Sequence, residues 1–114
     1  MTKLNVLAVS ACISGVAHTY MAAERLAKLA KQENWTIKIE TQGALGIDNV
    51  ITPEDIQSAD LIIIISNVNI KNRERFDCAR CIAMDISRFL LDSSDLLNIV
   101  KRVAKAPYGT CVQL

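Results

Sequence analysis

The chain has 114 residues, 51% of them hydrophobic, which supports one core and not two. A formal net charge of +1 excludes a broad basic surface for nucleic acid or for holding a membrane, and no apolar run approaches the ~20 residues of a span. Four cysteines at irregular spacing, with no secretory leader ahead of them, predict free thiols in a reducing cytosol.

Leu4 to Ala11 is apolar on both faces, as a central parallel strand requires. A helix is expected from about Val16 to Glu33, with Val16, Tyr20, Ala23, Ala27 and Ala30 on one face and Asn34 as its left-handed stop. Trp35 to Thr41 alternates Trp35, Ile37 and Ile39 with Thr36, Lys38 and Glu40, a strand with one exposed face. Gln42 to Gly46 is a glycine-bearing loop. Thr52-Pro53-Glu54-Asp55 caps a short helix ending near Ser58 or Ala59. Leu61 to Ile65 is a second buried strand.

Cys78 to Met84 is read as a fourth, edge strand, Ile86 to Leu91 as a short helical turn, and Asp95 to Ala106 as a final helix burying Leu96, Val100 and Val103. The tail from about Pro107 is read as loosely attached. The βαβαβα order predicts one α/β domain over residues 1–114, a small open sheet with helices on both faces. Cys78-Ala79-Arg80-Cys81 spells C-x-x-C. A strand would put its two thiols on opposite faces, and no second ligand pair accompanies them, so it is assigned no metal.

Between the first strand and the first helix lies Ala11-Cys12-Ile13-Ser14-Gly15-Val16-Ala17-His18-Thr19-Tyr20. A helix start leaves N–H groups without intrahelical partners and presents partial positive charge. A thiol held there is favoured as thiolate, with a pKa expected below the free value of roughly 8.5. The same N–H groups can cradle a phosphate, with Gly15 permitting a close turn and Ser14, His18 and Thr19 adding donors. Read from the residues alone, Cys12 remains either this nucleophile or a buried Cys closing a strand, and His18 either a site residue or a packing one.

Cys12 to Glu24 resembles the signature of fructose-family enzyme IIB domains of the bacterial sugar phosphotransferase system, Cys-Pro-Thr-Gly-x-Ala-His-Thr-x-Met-Ala-Ala-Glu. Ile13 replaces its Pro and Ser14 its Thr. Glu40-Thr41-Gln42-Gly43, with Gly46, and Glu74-Arg75-Phe76 also match the family, while Asn67 stands where it usually has Asp. The resemblance weakens beyond Phe76. It implies four parallel strands in the order 2-1-3-4, and Cys12 as the phosphorylated residue.

By the same resemblance, Cys12 takes phosphate from a phosphohistidine on a IIA partner and gives it to fructose or a fructose-like sugar held by the membrane component IIC. Ile13, Ser14, Gly15, Val16, Ala17, His18 and Thr19 would bind the phosphate, with no metal, nucleotide or nucleic acid involved. The protein would be cytoplasmic and dock on an inner-membrane permease. The alternative is a low-molecular-weight cysteine phosphatase, since C-x5-R loops share the spacing. His18 stands at the Arg position and cannot form its bidentate fork. A third class would use Cys12 only as a sensor thiol.

Overall fold

A computed structural model describes residues 4–12, 17–43 and 46–114 of the protein. In chain order the elements are β1 (Asn5–Ala11), α1 (Ala17–Glu33), β2 (Thr36–Gly43), β3 (Gly46–Asp48), α2 (Pro53–Ser58) and β4 (Leu61–Ser66). A 3-10 turn (Arg73–Phe76), β5 (Cys81–Met84), α3 (Ile86–Leu91), α4 (Ser94–Ala104) and β6 (Cys111–Gln113) follow.

The strands make one sheet in the order β3-β2-β1-β4-β5-β6, parallel throughout except for the β2–β3 pair. Its inner four, β2-β1-β4-β5, carry the expected 2-1-3-4 order. The expectation of four strands, all parallel, is corrected to six with one antiparallel pair. The two additions are three-residue edge strands, too short to show a hydrophobic period.

Side-chain alternation builds two cores. Val6, Ala8, Leu61, Ile63, Ile65, Ile82 and Met84 face α1, α3 and α4, where Leu26, Phe89, Leu96 and Val100 meet them. Leu7, Val9, Ile62, Ile64 and Ala83 face α2 and the 3-10 turn, with Ile51, Ile56, Ile70 and Phe76. The continuous apolar run of β4 is thus explained by helices on both sides.

The buried face of α1 is rotated from the one expected: Thr19, Ala22, Leu26, Leu29 and Ala30 are buried, and Ala27 is exposed. Two leucines remove far more apolar area from water than alanines do, so they set the rotation. Asn34 takes the left-handed stop at φ 60°. Thr52 Oγ1 accepts from the Asp55 amide and Asp55 Oδ2 from the Thr52 amide, closing a capping box on α2.

Strand β5 starts at Cys81 rather than Cys78. The preceding residues turn out of the 3-10 segment, the Ala79 amide donating to the Phe76 carbonyl at 2.9 Å. Nor is β5 an edge, because the tail is not loose. A turn closed from the Thr110 amide to the Pro107 carbonyl, with Gly109 at φ +90°, brings β6 beside β5. There the Cys81 amide donates to Thr110 and the Leu114 amide to Ala83, both at 2.8 Å.

The rotation of α1 is testable. Leu26→Ala should cost about 2–5 kcal/mol in urea unfolding, whereas Ala27→Ser should stay within roughly 0.5 kcal/mol. Comparable losses at both positions would restore the rejected face.

Candidate active site

Parallel strands bring their carboxyl ends to one edge, and β1 ends there at Ala11, level with Gln42 of β2 and Ser66 of β4. Cys12 is the next residue and points to the α1 side, packed in that core at 7% exposure. Ser10, on the same side and fully buried, donates its hydroxyl to the Thr19 carbonyl at 2.8 Å. This bond fixes the first turn of α1 against the end of β1.

Ala17 opens α1 and His18 follows, exposed, with its Nδ1 3.9 Å from Cys12 Sγ. The two chemically strongest residues of the motif, six apart in sequence, are therefore brought together. Thr19 is fully buried, and its hydroxyl finds no hydrogen-bond partner among the described residues. Ile13, Ser14, Gly15 and Val16 lie outside the described residues.

At the same edge, on the α2 side of the sheet, Glu40 is 1% exposed. The alternation in β2 predicts it on the exposed face. Instead Lys38 and Glu40 both meet partners: Lys38 Nζ lies 2.6 Å from Asp55 Oδ2, and Arg75 forks onto Glu40. Arg75 Nη1 donates to Oε1 at 2.9 Å and Nη2 to Oε2 at 2.6 Å. The Ile51 amide also donates to Oε1, and Gln42 Nε2 to Oε2.

The network extends outward. Arg75 Nη1 reaches the Ile51 carbonyl, its guanidinium lies over the Phe76 ring, and the Gln42 side chain exchanges hydrogen bonds with the Lys71 backbone. Burial pushes the Glu40 carboxyl up, but the Arg75 fork, Gln42 and the Ile51 amide outweigh it and hold the group below the ordinary 4.5. Sequence reasoning gave neither residue a role. The available signal was that Glu40 and Arg75 sit in separate matched motifs, which the fold joins in one ion pair.

A family model, the lactose/cellobiose-specific IIB subunit of the PTS system, matches residues 7–99. The chain belongs to this IIB family. It is 46% identical to the PTS system fructose-like EIIB component 3 of Escherichia coli K12, over 91% of the chain and 92% of that protein. It is 49% identical to fructose-like EIIB component 2 of the same strain, over 76% and 80%. A crystal structure described as a predicted fructose-specific IIB from Escherichia coli superposes with a TM-score of 0.92 at 44% identity, covering 97% of this chain and 98% of that one. IIB components are phosphotransferases, and this fructose-like IIB chain is one of them.

The ion pair should govern acid stability. A carboxyl held below 4.5 in the folded protein contributes stability that is complete above that value and is lost as pH falls through the lowered one. Arg75→Met leaves Glu40 buried without its cation and should cost about 3–5 kcal/mol at neutral pH. It should also flatten or reverse the loss of stability between about pH 7 and about pH 3. Urea unfolding at both pH values checks this, and an unchanged acid slope in Arg75→Met would assign the pair no part in it.

Proposed function

We propose that Cys12 is the phosphoryl carrier, taking the group from a phosphohistidine of a IIA-type protein and passing it to fructose or a fructose-like sugar held by a membrane IIC component. The observation that carries this is the Cys12–His18 pair at the carboxyl edge, the sulfur 3.9 Å from the imidazole, in a chain of the IIB family. Open α/β sheets offer their ligand crevice at that edge.

In the first step His18 takes the thiol proton and Cys12 Sγ attacks phosphorus. The S–P bond forms, the N–P bond of the donor histidine breaks, and that histidine recovers a proton. In the second step a sugar hydroxyl attacks phosphorus and gives its proton to solvent base, the O–P bond forms, the S–P bond breaks and the thiolate returns. Charge builds on the three equatorial oxygens both times. The proposed donors to them are the backbone amides of Ile13 to His18, through Gly15, Val16 and Ala17, with the side chains of Ser14, His18 and Thr19.

Relatives in which a region of about 65 residues aligns within a much longer fructose-specific EIIB'BC component support working contact with a IIC partner. No helix among the described residues is long and apolar enough to cross a membrane. On the strength of family membership, the proposal puts the domain on the cytoplasmic side, docking on an inner-membrane permease.

Phosphorylation by phosphoenolpyruvate and the upstream relay proteins, followed by intact mass, should add one phosphoryl group to the protein. Cys12→Ser should abolish the addition, while Cys78→Ser, Cys81→Ser and Cys111→Ser should retain it. Addition persisting in Cys12→Ser would move the site elsewhere.

The phosphatase alternative predicts steady turnover of an aryl phosphate. Without an Arg clamp at residue 18, Cys12-dependent phenol release should stay far below ~1 per second, the low end of ordinary enzymes. A rate at or above that would make the protein a phosphatase.

A further inference from the structure

We propose that Cys81 and Cys111 form a thiol-oxidation site, closing an intramolecular disulfide when a low-molecular-weight disulfide such as oxidised glutathione reacts first at Cys111. The site is remote from Cys12 and independent of the carrier reading.

The geometry comes from the sheet. Cys81 and Cys111 are register partners on the adjacent parallel strands β5 and β6, so their Cα atoms lie ~4.8 Å apart and their side chains leave the same face. Disulfides need Cα atoms roughly 4.4–6.8 Å apart with Cβ vectors that converge. Both thiols line one cavity of about 170 Å³, together with Arg73, Phe76, Asp77, Ala79 and Gly109. Cys78, the other half of the C-x-x-C, lines the neighbouring cavity with Arg80 and Tyr108. Neither Cys81 nor Cys111 is in a disulfide.

The two sulfurs are unequal, which sets the order of events. Cys111 is exposed, and Arg73 Nη2 lies 3.5 Å from its Sγ, a donor beside the attacking sulfur. Cys81 is 3% exposed, its thiol turned to the Phe76 carbonyl at 3.7 Å. Burial pushes the Cys81 thiol up to about 12, with neighbouring Cys111 and Asp77 adding to the rise and Arg73 opposing it. Cys81 is thus the slow, resolving partner.

The exchange balances in two displacements. Cys111 thiolate attacks one sulfur of the oxidant, the oxidant S–S bond breaks, and one low-molecular-weight thiolate leaves. Cys81, having given its proton to solvent base, then attacks Cys111 Sγ of the mixed disulfide and expels the second thiolate. Two protein thiols are oxidised and one disulfide is reduced to two thiols.

The bridge would tie the three-residue edge strand β6 covalently to the sheet. It would leave the phosphate edge untouched. Cys81 pairs with Ile62, which pairs with Leu7, five residues before Cys12 and on the opposite face, roughly 16 Å away along the strands.

The test is a time course of the full chain with oxidised glutathione, followed by intact mass and a non-reducing peptide map. The expected sequence is a glutathione adduct at Cys111, then its loss with closure of the Cys81–Cys111 bridge, the second step quickening as pH is raised. Cys78→Ser and Cys12→Ser should close the bridge, and Cys111→Ser should not. A bridge containing Cys78 or Cys12 would overturn the proposal. So would an adduct at Cys111 that never resolves even in mild alkali, or closure in Cys111→Ser.

Discussion

The ion pair between buried Glu40 and half-buried Arg75 is the constraint on which the carboxyl edge depends. Removing a carboxylate and a guanidinium from water costs several kcal/mol per ion, which Coulomb attraction repays only when the geometry is good and the remaining lone pairs are filled. Here the fork is bidentate, and the Ile51 amide and the Gln42 amide fill the other acceptor positions. The consequence is geometric. The end of β2, the chain before α2 and the 3-10 turn are held to one carboxylate, and through Gln42 the Lys71 backbone joins them. Three segments that share no secondary structure thus have one position relative to the sheet.

On the opposite face the same edge is fixed by a neutral bond, Ser10 to the Thr19 carbonyl, and by the packing of Leu26 and Leu29 under α1. These two devices differ in what they ask of the chain. The Ser10 bond joins a strand to the helix that follows it, so it forms from local contacts. The Glu40–Arg75 pair closes a loop of 35 residues and requires the sheet to be assembled first. Together they leave the Cys12–His18 contact on rigid supports, the strand end below and the first helical turn beside it.

The parts of the fold that were legible in the sequence are those where one signal dominates. The β-branched runs of β1 and β4, the Thr52-Pro53 cap and the Leu96, Val100, Val103 stripe each had no competing reading, and each is present. Glu40 was misplaced because alternation reports which face a residue is on, not whether another element covers that face. Arg75, which decides the matter, lies 35 residues away. The edge strand β6 was missed because Cys111-Val112-Gln113 carries one apolar residue of strand type, and its pairing comes from β5. For the proposed site, Cys12 and His18 stood out in the sequence because their chemistry is concentrated within seven residues of chain, and the fold sets them 3.9 Å apart. Their carboxyl-edge neighbours came only from register, which ranks Ala11 beside Gln42 and Ser66.

A histidine at residue 18 also bears on why the proposed chemistry is transfer rather than hydrolysis. An arginine there would contribute a fixed cation and a two-pronged grip on the phosphoryl oxygens in every state of the cycle. Such a grip stabilises phosphocysteine and transition state alike, and an interaction made equally in both raises no rate. An imidazole offers single ring N–H donors and no fork, so its hold on the phosphoryl oxygens is weaker than an arginine's. For a relay whose proposed intermediate must pass on to another acceptor, the weaker hold keeps phosphocysteine from becoming a thermodynamic sink. With Cys12 Sγ and His18 Nδ1 3.9 Å apart, the histidine stands where that weaker hold would act.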